Sequence, residues 1–326
     1  MKAPLCNRYL APACLVAAAL IVTSCSPSQS QRADANFDAR VAHPAYTSPG
    51  PRVVIDEAHR NFHTASGRYR PFAQLIGNDG YRVQPGRETF TPQNLRLGDV
   101  LVISNAQGPN NLEWESAFAP QEVRAVQDWV SGGGSLLLIA DHFPMGGAAE
   151  KLSQAFDVEM TKGVTEDTLN CVPGEETSIV YSRQNGLLLS HPITDGRSAE
   201  ESIARVVTFT GQSVGVPAGA VPFLKLGPTA RDFRPLAPKI VKSGSNTQVI
   251  PQYADPEPAA GRSQGIALEF GRGRVVILGE AAMMTAQLSG DGHPFGMNVP
   301  GNDNRKLALN IMHWLSRLTN LPRGKL

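Results

Sequence analysis

A chain of 326 residues with 41% hydrophobic and 18% charged residues has the balance of a globular protein and excludes a largely disordered one. Its formal charge is +1, from 30 basic and 29 acidic residues. So even a balance excludes an electrostatic nucleic-acid binder, which needs a strongly basic surface.

The chain starts with Lys2 and Arg8, then turns apolar through Leu15, Val16, Ala17, Ala18 and Ala19. The run closes in Leu20-Ile21-Val22-Thr23-Ser24-Cys25. A positive start, a short apolar core and small residues before a cut are the layout of a secretory signal. The stretch is short for a membrane-spanning helix. The closing string resembles the lipobox of bacterial lipoprotein signal peptides. That resemblance implies a signal peptide over residues 1–24, palmitate-bearing lipid on Cys25 and attachment to a membrane on its periplasmic side. Ser26, in place of Asp, implies the outer membrane in a Gram-negative cell. Loss of Lys2 and Arg8 with the signal lowers the formal charge by two. Of the four cysteines, Cys6 and Cys14 leave with the signal and Cys25 is consumed. Cys171 then stays without an intramolecular partner, so no internal disulfide is expected. No basic group near it in sequence would lower its pKa, and it reads as a small packed residue.

Residues 25–51 are rich in Ser, Gln, Ala and Pro and read as a flexible tether. Residues 52–320 read as a single α/β domain. Arg52-Val53-Val54-Ile55-Asp56 is an apolar run of the kind buried on both faces of a sheet. Ser66 is a candidate cap for a helix carrying Tyr69, Phe72, Leu75 and Ile76, ended by Gly77-Asn78-Asp79-Gly80. Strands follow at Tyr81-Arg82-Val83 and over residues 99–105. Pro120 opens a helix with Val123, Val126, Trp129 and Val130 at helical spacing. Gly132-Gly133-Gly134 stops it, residues 136–140 form the next strand, and residues 146–156 another helix. This alternation over short connections predicts a doubly wound, mostly parallel sheet.

The second half is less regular. Strands are expected at 205–210 and 220–226, then an irregular insertion near 228–262, rich in Pro, Ser, Gly and Ala. Residues 266–270 and 274–278 flank Gly271-Arg272-Gly273 as an added antiparallel pair. Residues 304–318 close the chain as a helix, with Leu307, Ile311, Trp314, Leu315 and Leu318 on one stripe.

Ligands of open parallel sheets bind beyond the carboxyl ends of the strands. Here those ends are polar: Asp56-Glu57-Ala58-His59-Arg60-Asn61-Phe62-His63 after the first strand, then Asn105, Asp141-His142 and Glu280. Carboxylates beside histidines suit an acid–base pair or a metal site. Asp56, Glu57, His59, Asn105, Asp141, His142 and Glu280 are therefore the candidate ligand-binding residues. Asp56, His59, His63, Asp141 and His142 are the candidate ligands of a divalent metal. The same side chains can instead cap helices and hold loops. Met145-Gly146-Gly147 follows a strand and offers a weak anion-binding turn.

The strings Val54-Ile55-Asp56-Glu57-Ala58-His59, Gly80-Tyr81, Asp99-Val100-Leu101-Val102-Ile103, Trp129-Val130-Ser131-Gly132-Gly133-Gly134 and Leu138-Ile139-Ala140-Asp141 resemble a class I glutamine-amidotransferase-like domain. Ser190-His191-Pro192-Ile193-Thr194-Asp195-Gly196 and Gly273-Arg274-Val275-Val276-Ile277-Leu278-Gly279 fit the same pattern. The branch it is closest to also occurs in gliding-motility and intraflagellar-transport proteins. The resemblance implies a flavodoxin-like fold. Glutaminases of this superfamily carry a cysteine on a tight turn after a strand, plus a His-Glu pair. No Gly-x-Cys-x-Gly occurs in this sequence. Without such a nucleophile an acyl-enzyme route to amide hydrolysis is closed.

The expectation is a membrane-anchored periplasmic lipoprotein that acts as a ligand-binding or scaffold module, without glutaminase activity and without a cofactor. Its partners would be the membrane, through Cys25, and a carbohydrate or protein. The alternative is a metal-dependent hydrolase of cell-wall or other carbohydrate material, with Glu57 or Glu280 activating water.

Overall fold

A computed structural model of the protein describes residues 31–108, 115–243 and 246–319. The signal peptide and Cys25 lie outside the described residues.

Among the described residues a seven-stranded sheet forms the centre. Its strands in chain order are β1 (Arg52–Asp56), β2 (Arg82–Gly86), β3 (Val100–Ser104), β4 (Ser135–Ile139), β5 (Val221–Lys225), β6 (Ser263–Phe270) and β7 (Gly273–Leu278). Their spatial order is β5-β6-β7-β4-β3-β1-β2. From β2 to β7 the neighbours run parallel, while β6 is antiparallel to both β7 and β5. This is the expected doubly wound, mostly parallel, flavodoxin-like sheet with its added antiparallel pair.

The apolar runs work because alternate residues of a strand face opposite sides. Val100, Val102, Leu137, Ile139, Val276 and Leu278 pack in one core, with α1 (Arg70–Asn78) supplying Phe72, Leu75 and Ile76. Leu101, Ile103, Leu136, Leu138, Val275 and Ile277 pack in the other. There α2 (Pro92–Leu95), α3 (Pro120–Ser131) and α4 (Met145–Gln154) cover the sheet through Leu95, Val126, Val130 and Leu152. A short α5 (Pro192–Asp195) and the closing α6 (Asn304–Leu315) lie in the first core, where Leu307, Ile311, Trp314 and Leu315 are buried.

Local chemistry explains several boundaries. The triple glycine ends α3 because Gly133 takes φ +118° and a Cβ on Gly134 would lie 2.3 Å from the Trp129 ring. Helix α1 begins at Arg70, after a Thr64–Tyr69 turn, so Ser66 does not cap it. The expected strand at 205–210 stops at Val207.

Two expectations are corrected. The segment near 228–262 is not irregular: Ala230–Phe233 pairs with Val164–Asp167 and Glu257–Pro258, and Pro235–Ser243 forms an antiparallel ribbon with Asn246–Tyr253. Pro235, Pro238, Pro251 and Pro258 lie within these strands, where pairing overrides the loop preference of proline. Nor is the whole of 25–51 a loose tether. Arg32–Ala33 pairs with Ala286–Leu288, which in turn pairs with Pro294–Gly296. Ala39 is buried, and Asn78 Nδ2 donates to its carbonyl at 2.8 Å. Polar composition concealed these contacts, because they are made mostly by backbone groups.

Candidate functional site

With the order β2-β1-β3-β4, the crevice at the switch in winding direction opens between the carboxyl ends of β1 and β3. Asn105 lies at that point with φ +47°, in the left-handed region that asparagine tolerates better than most residues. It is stitched on three sides. Its amide donates to the Ile139 carbonyl at 2.9 Å, its carbonyl accepts from Phe62 N at 2.9 Å, and its Oδ1 accepts from Asp141 N at 2.9 Å. One residue thus joins the β1 loop, β3 and β4.

On the β1 side, Asp56 and His59 form a fully engaged network. Asp56 is 0% exposed and accepts from Ala58 N at 3.1 Å, Asn61 Nδ2 at 3.0 Å and His59 Nδ1 at 2.9 Å. The other ring nitrogen, Nε2, lies 3.0 Å from Glu122 Oε1. Glu122 reaches back from the first turn of α3 and also accepts from the amides of Phe90 and Ala119, both at 2.9 Å. Phe90 and Phe118 enclose the imidazole, with centroids 4.6 and 4.8 Å away. Burial disfavours a charged ring here, but the bonds to Asp56 and then Glu122 prevail and raise the His59 pKa. Burial works against Glu122 ionisation too, yet its two amide donors and His59 lower its pKa. Below that raised pKa the ring is an imidazolium clamped between two carboxylates.

On the other side, His63 Nδ1 lies 3.0 Å from Ser104 Oγ and the ring stacks on Tyr69 at 4.6 Å. Burial pushes its pKa down to about 3, so it is neutral. The Tyr69 hydroxyl donates to the Ala281 carbonyl at 3.1 Å, which ties this group to the end of β7. There Glu280 is 0% exposed, its carboxylate accepting from Ala282 N at 2.5 Å and Met283 N at 2.8 Å. Burial, and next the Asp141 charge, raise the Glu280 pKa well above the carboxylate range. Burial also raises Asp141, against the pull of His142. Two acids at the ends of adjacent strands β4 and β7 therefore resist ionising together.

The seven candidate ligand residues split into groups. Asp56 and His59 belong to the clamp. Asn105, Asp141 and Glu280 line the β3–β4–β7 ends. Half-buried His142 turns its Nδ1–H to the Phe143 carbonyl at 2.9 Å. Glu57 holds its own loop, accepting from Ala65 N at 3.0 Å with Arg87 3.5 Å away. The five candidate metal ligands are likewise not one set: His59 is engaged at both nitrogens and His63 is bound to Ser104. Among the described residues no group of three or more His, Cys, Asp or Glu is gathered in a way that could hold a metal ion. Sequence spacing could not show this, because each strand end fixes its own side-chain direction.

Other motifs have structural duties. Gly146 gives close approach to Gln212, whose side chain would lie 2.4 Å from an added Cβ. Gln212 Nε2 in turn donates to the carbonyls of Ala140 and Asp141 at 2.9 and 3.0 Å. His191 caps α5, its Nδ1 accepting from Ile193 N at 3.2 Å. Cys171 borders a cleft of about 640 Å³ beside Glu166, Glu175 and Glu176. Burial, then Glu176 and Asp167, push its thiol pKa up, so it is a poor nucleophile. Glu122, Tyr69, Ser104 and Gln212 were not among the candidates from sequence. Only Glu122 left a signal, as an acid three residues after the residue preceding the α3 helix.

Among solved structures, the chain is similar to the mmIFT52 N-terminal domain, with a TM-score of 0.54 and 13% identity over 83% of this chain and 99% of that one. The likeness is one of fold. A ThuA-like protein from Parabacteroides merdae ATCC 43184 aligns with a TM-score of 0.42 and 10% identity, over 84% of this chain and 94% of that one. Another, from Bacteroides uniformis ATCC 8492, gives 0.40 and 12%, over 84% and 95%. No family model and no curated protein matches the chain. Among the described residues, no helix is long and apolar enough to cross a membrane.

Proposed function

We propose that this chain is an envelope lipoprotein, anchored at Cys25, whose α/β domain binds a ligand at the carboxyl edge of its sheet without acyl-enzyme chemistry. One observation carries the second half of this reading. Both nitrogens of His59 are committed to carboxylates, so the ring is not free to take a proton from a nucleophile. The strained strand end that could present a nucleophile is an amide, Asn105. The β3–β4–β7 group then offers donors and acceptors for recognition through Asn105, Asp141 and His142. Incubation of the purified protein with glutamine is expected to release no ammonia above a buffer control. Ammonia release that disappears in Cys171→Ala would overturn the reading.

A hydrolytic alternative draws support from the paired acids Asp141 and Glu280. Two carboxyl groups that cannot both ionise readily are the raw material of general acid–base catalysis. In that reading Glu280 donates and Asp141 activates water, and no metal is needed. Turnover of peptidoglycan fragments that vanishes in Glu280→Gln but survives a chelator would favour it over binding alone.

A further inference from the structure

The N-terminal segment meets the domain at the opposite edge from the one where β1 begins. Arg32 lies opposite Leu288 and Ala33 opposite Gln287, Asp34 N donates to the Ala286 carbonyl at 2.9 Å, and Asn298 Nδ2 donates to Asp34 Oδ2 at 3.0 Å. Arg68 Nε donates to the Gln31 carbonyl at 3.2 Å. All of these partners belong to loops at the carboxyl edge: the β1 loop, and the segment between β7 and α6. From there the chain runs down the flank of the domain. Ala39 is held by Asn78, and Ala45 N donates to Asp79 Oδ1 at 2.7 Å. Gly50 N reaches the Gly80 carbonyl at 3.1 Å at the amino edge, and the chain then enters β1.

We infer that the carboxyl edge of the sheet, with the candidate site, faces the bilayer surface. This rests on the proposed lipid anchor at Cys25. Only six peptide steps separate Cys25 from Gln31, so the two lie at most about 22 Å apart. The amino edge lies ~17 Å from the carboxyl edge along strands of about five residues, so the short leash starts on the side of the candidate site. A tether free as far as residue 51 would have placed the amino edge nearest the membrane, which is the reverse arrangement.

The surface around this attachment suits a phospholipid headgroup layer. Phe62, on the β1 loop, is 38% exposed, and the Arg68 guanidinium lies over its ring at 3.7 Å. Arg32 and Arg60, both exposed, stand beside Gln31 and Phe62 in sequence. An aromatic ring among arginines is the composition that settles at an anionic membrane interface. A ligand of the carboxyl-edge site is then met in the layer next to the bilayer.

The test uses the lipidated full chain in phosphatidylcholine–phosphatidylglycerol vesicles, with Cys171→Ser to leave one labelling position. A fluorophore is placed by Asp291→Cys, exposed on the turn after residues 286–288, or by Asp128→Cys, exposed near the amino-edge end of α3. Nitroxide carried on the lipid headgroup is expected to quench the label at 291 several-fold more strongly than the label at 128. A lipidated protein quenched alike at both positions, or more at 128, overturns the orientation and leaves the anchor standing. Mass spectrometry showing Cys25 without lipid removes the anchor, and the orientation with it.

Discussion

Replacing His59 with phenylalanine probes the clamp while keeping an aromatic ring between Phe90 and Phe118. The loss is then mainly electrostatic. Asp56 retains Ala58 N and Asn61, and Glu122 retains the amides of Phe90 and Ala119, but each loses one charge-assisted bond. Removing one member of a buried ionic network costs about 3–5 kcal/mol. Because each carboxylate keeps two donors, the expected loss lies at the lower end, about 3 kcal/mol. That is a large share of the roughly 5–15 kcal/mol that holds a typical domain together. The pH dependence gives the sharper check. The folded-state pKa of His59 is raised, so its contribution is full below the ordinary value of 6.5 and lost as pH rises through the folded value. Glu122 is lowered, so its contribution is full above 4.5 and lost as pH falls through its folded value. The gap between wild type and variant is therefore widest between those two ordinary values. Urea denaturation followed by tryptophan fluorescence, at about pH 5.5 and about pH 8.5, measures it. A gap under about 1 kcal/mol at the lower pH, or one that grows with pH, refutes the clamp.

Further outcomes follow from the same geometry. The raised pKa of Glu280 means that the unfolded chain ionises first as pH rises, so Glu280→Gln is expected to gain stability relative to wild type between about pH 5 and pH 8. Thermal denaturation at both values checks this, and a relative loss would contradict it. In Gly279→Ala the new Cβ would lie 2.1 Å from the Gln212 carbonyl, and the forced shift is expected to cost about 1–3 kcal/mol or more. An unchanged melting temperature would show that this approach is not tight. Cys171 is expected to react with iodoacetamide more slowly than a free thiol at neutral pH, and faster in Glu176→Gln.

Much of the central sheet was legible because its signals are local. Residues 100–103 and 136–139 are apolar without interruption, and a strand buried on both faces needs that whatever its neighbours. Pro120 and the triple glycine bound α3 by the same local logic. The polar strand ends were legible as positions, but not as partners. Asp56 and His59 are three residues apart, whereas Glu122 joins them from 63 residues beyond His59. Hydrophobic periodicity carries no record of such a meeting. The strands at 230–253 were hidden for a related reason: their proline-rich composition suggests loops, and pairing across the chain overrides that preference.

By itself the sequence determined a doubly wound sheet with polar carboxyl ends and no cysteine nucleophile on a glycine turn, because these depend on residue type and short-range pattern. Only the tertiary structure decided that His59 is clamped on both sides, that the metal candidates do not converge, and that residues 32–34 are held at the site edge. Each of those depends on which distant backbone groups the packed sheet brings within hydrogen-bond reach, and composition does not encode that distance.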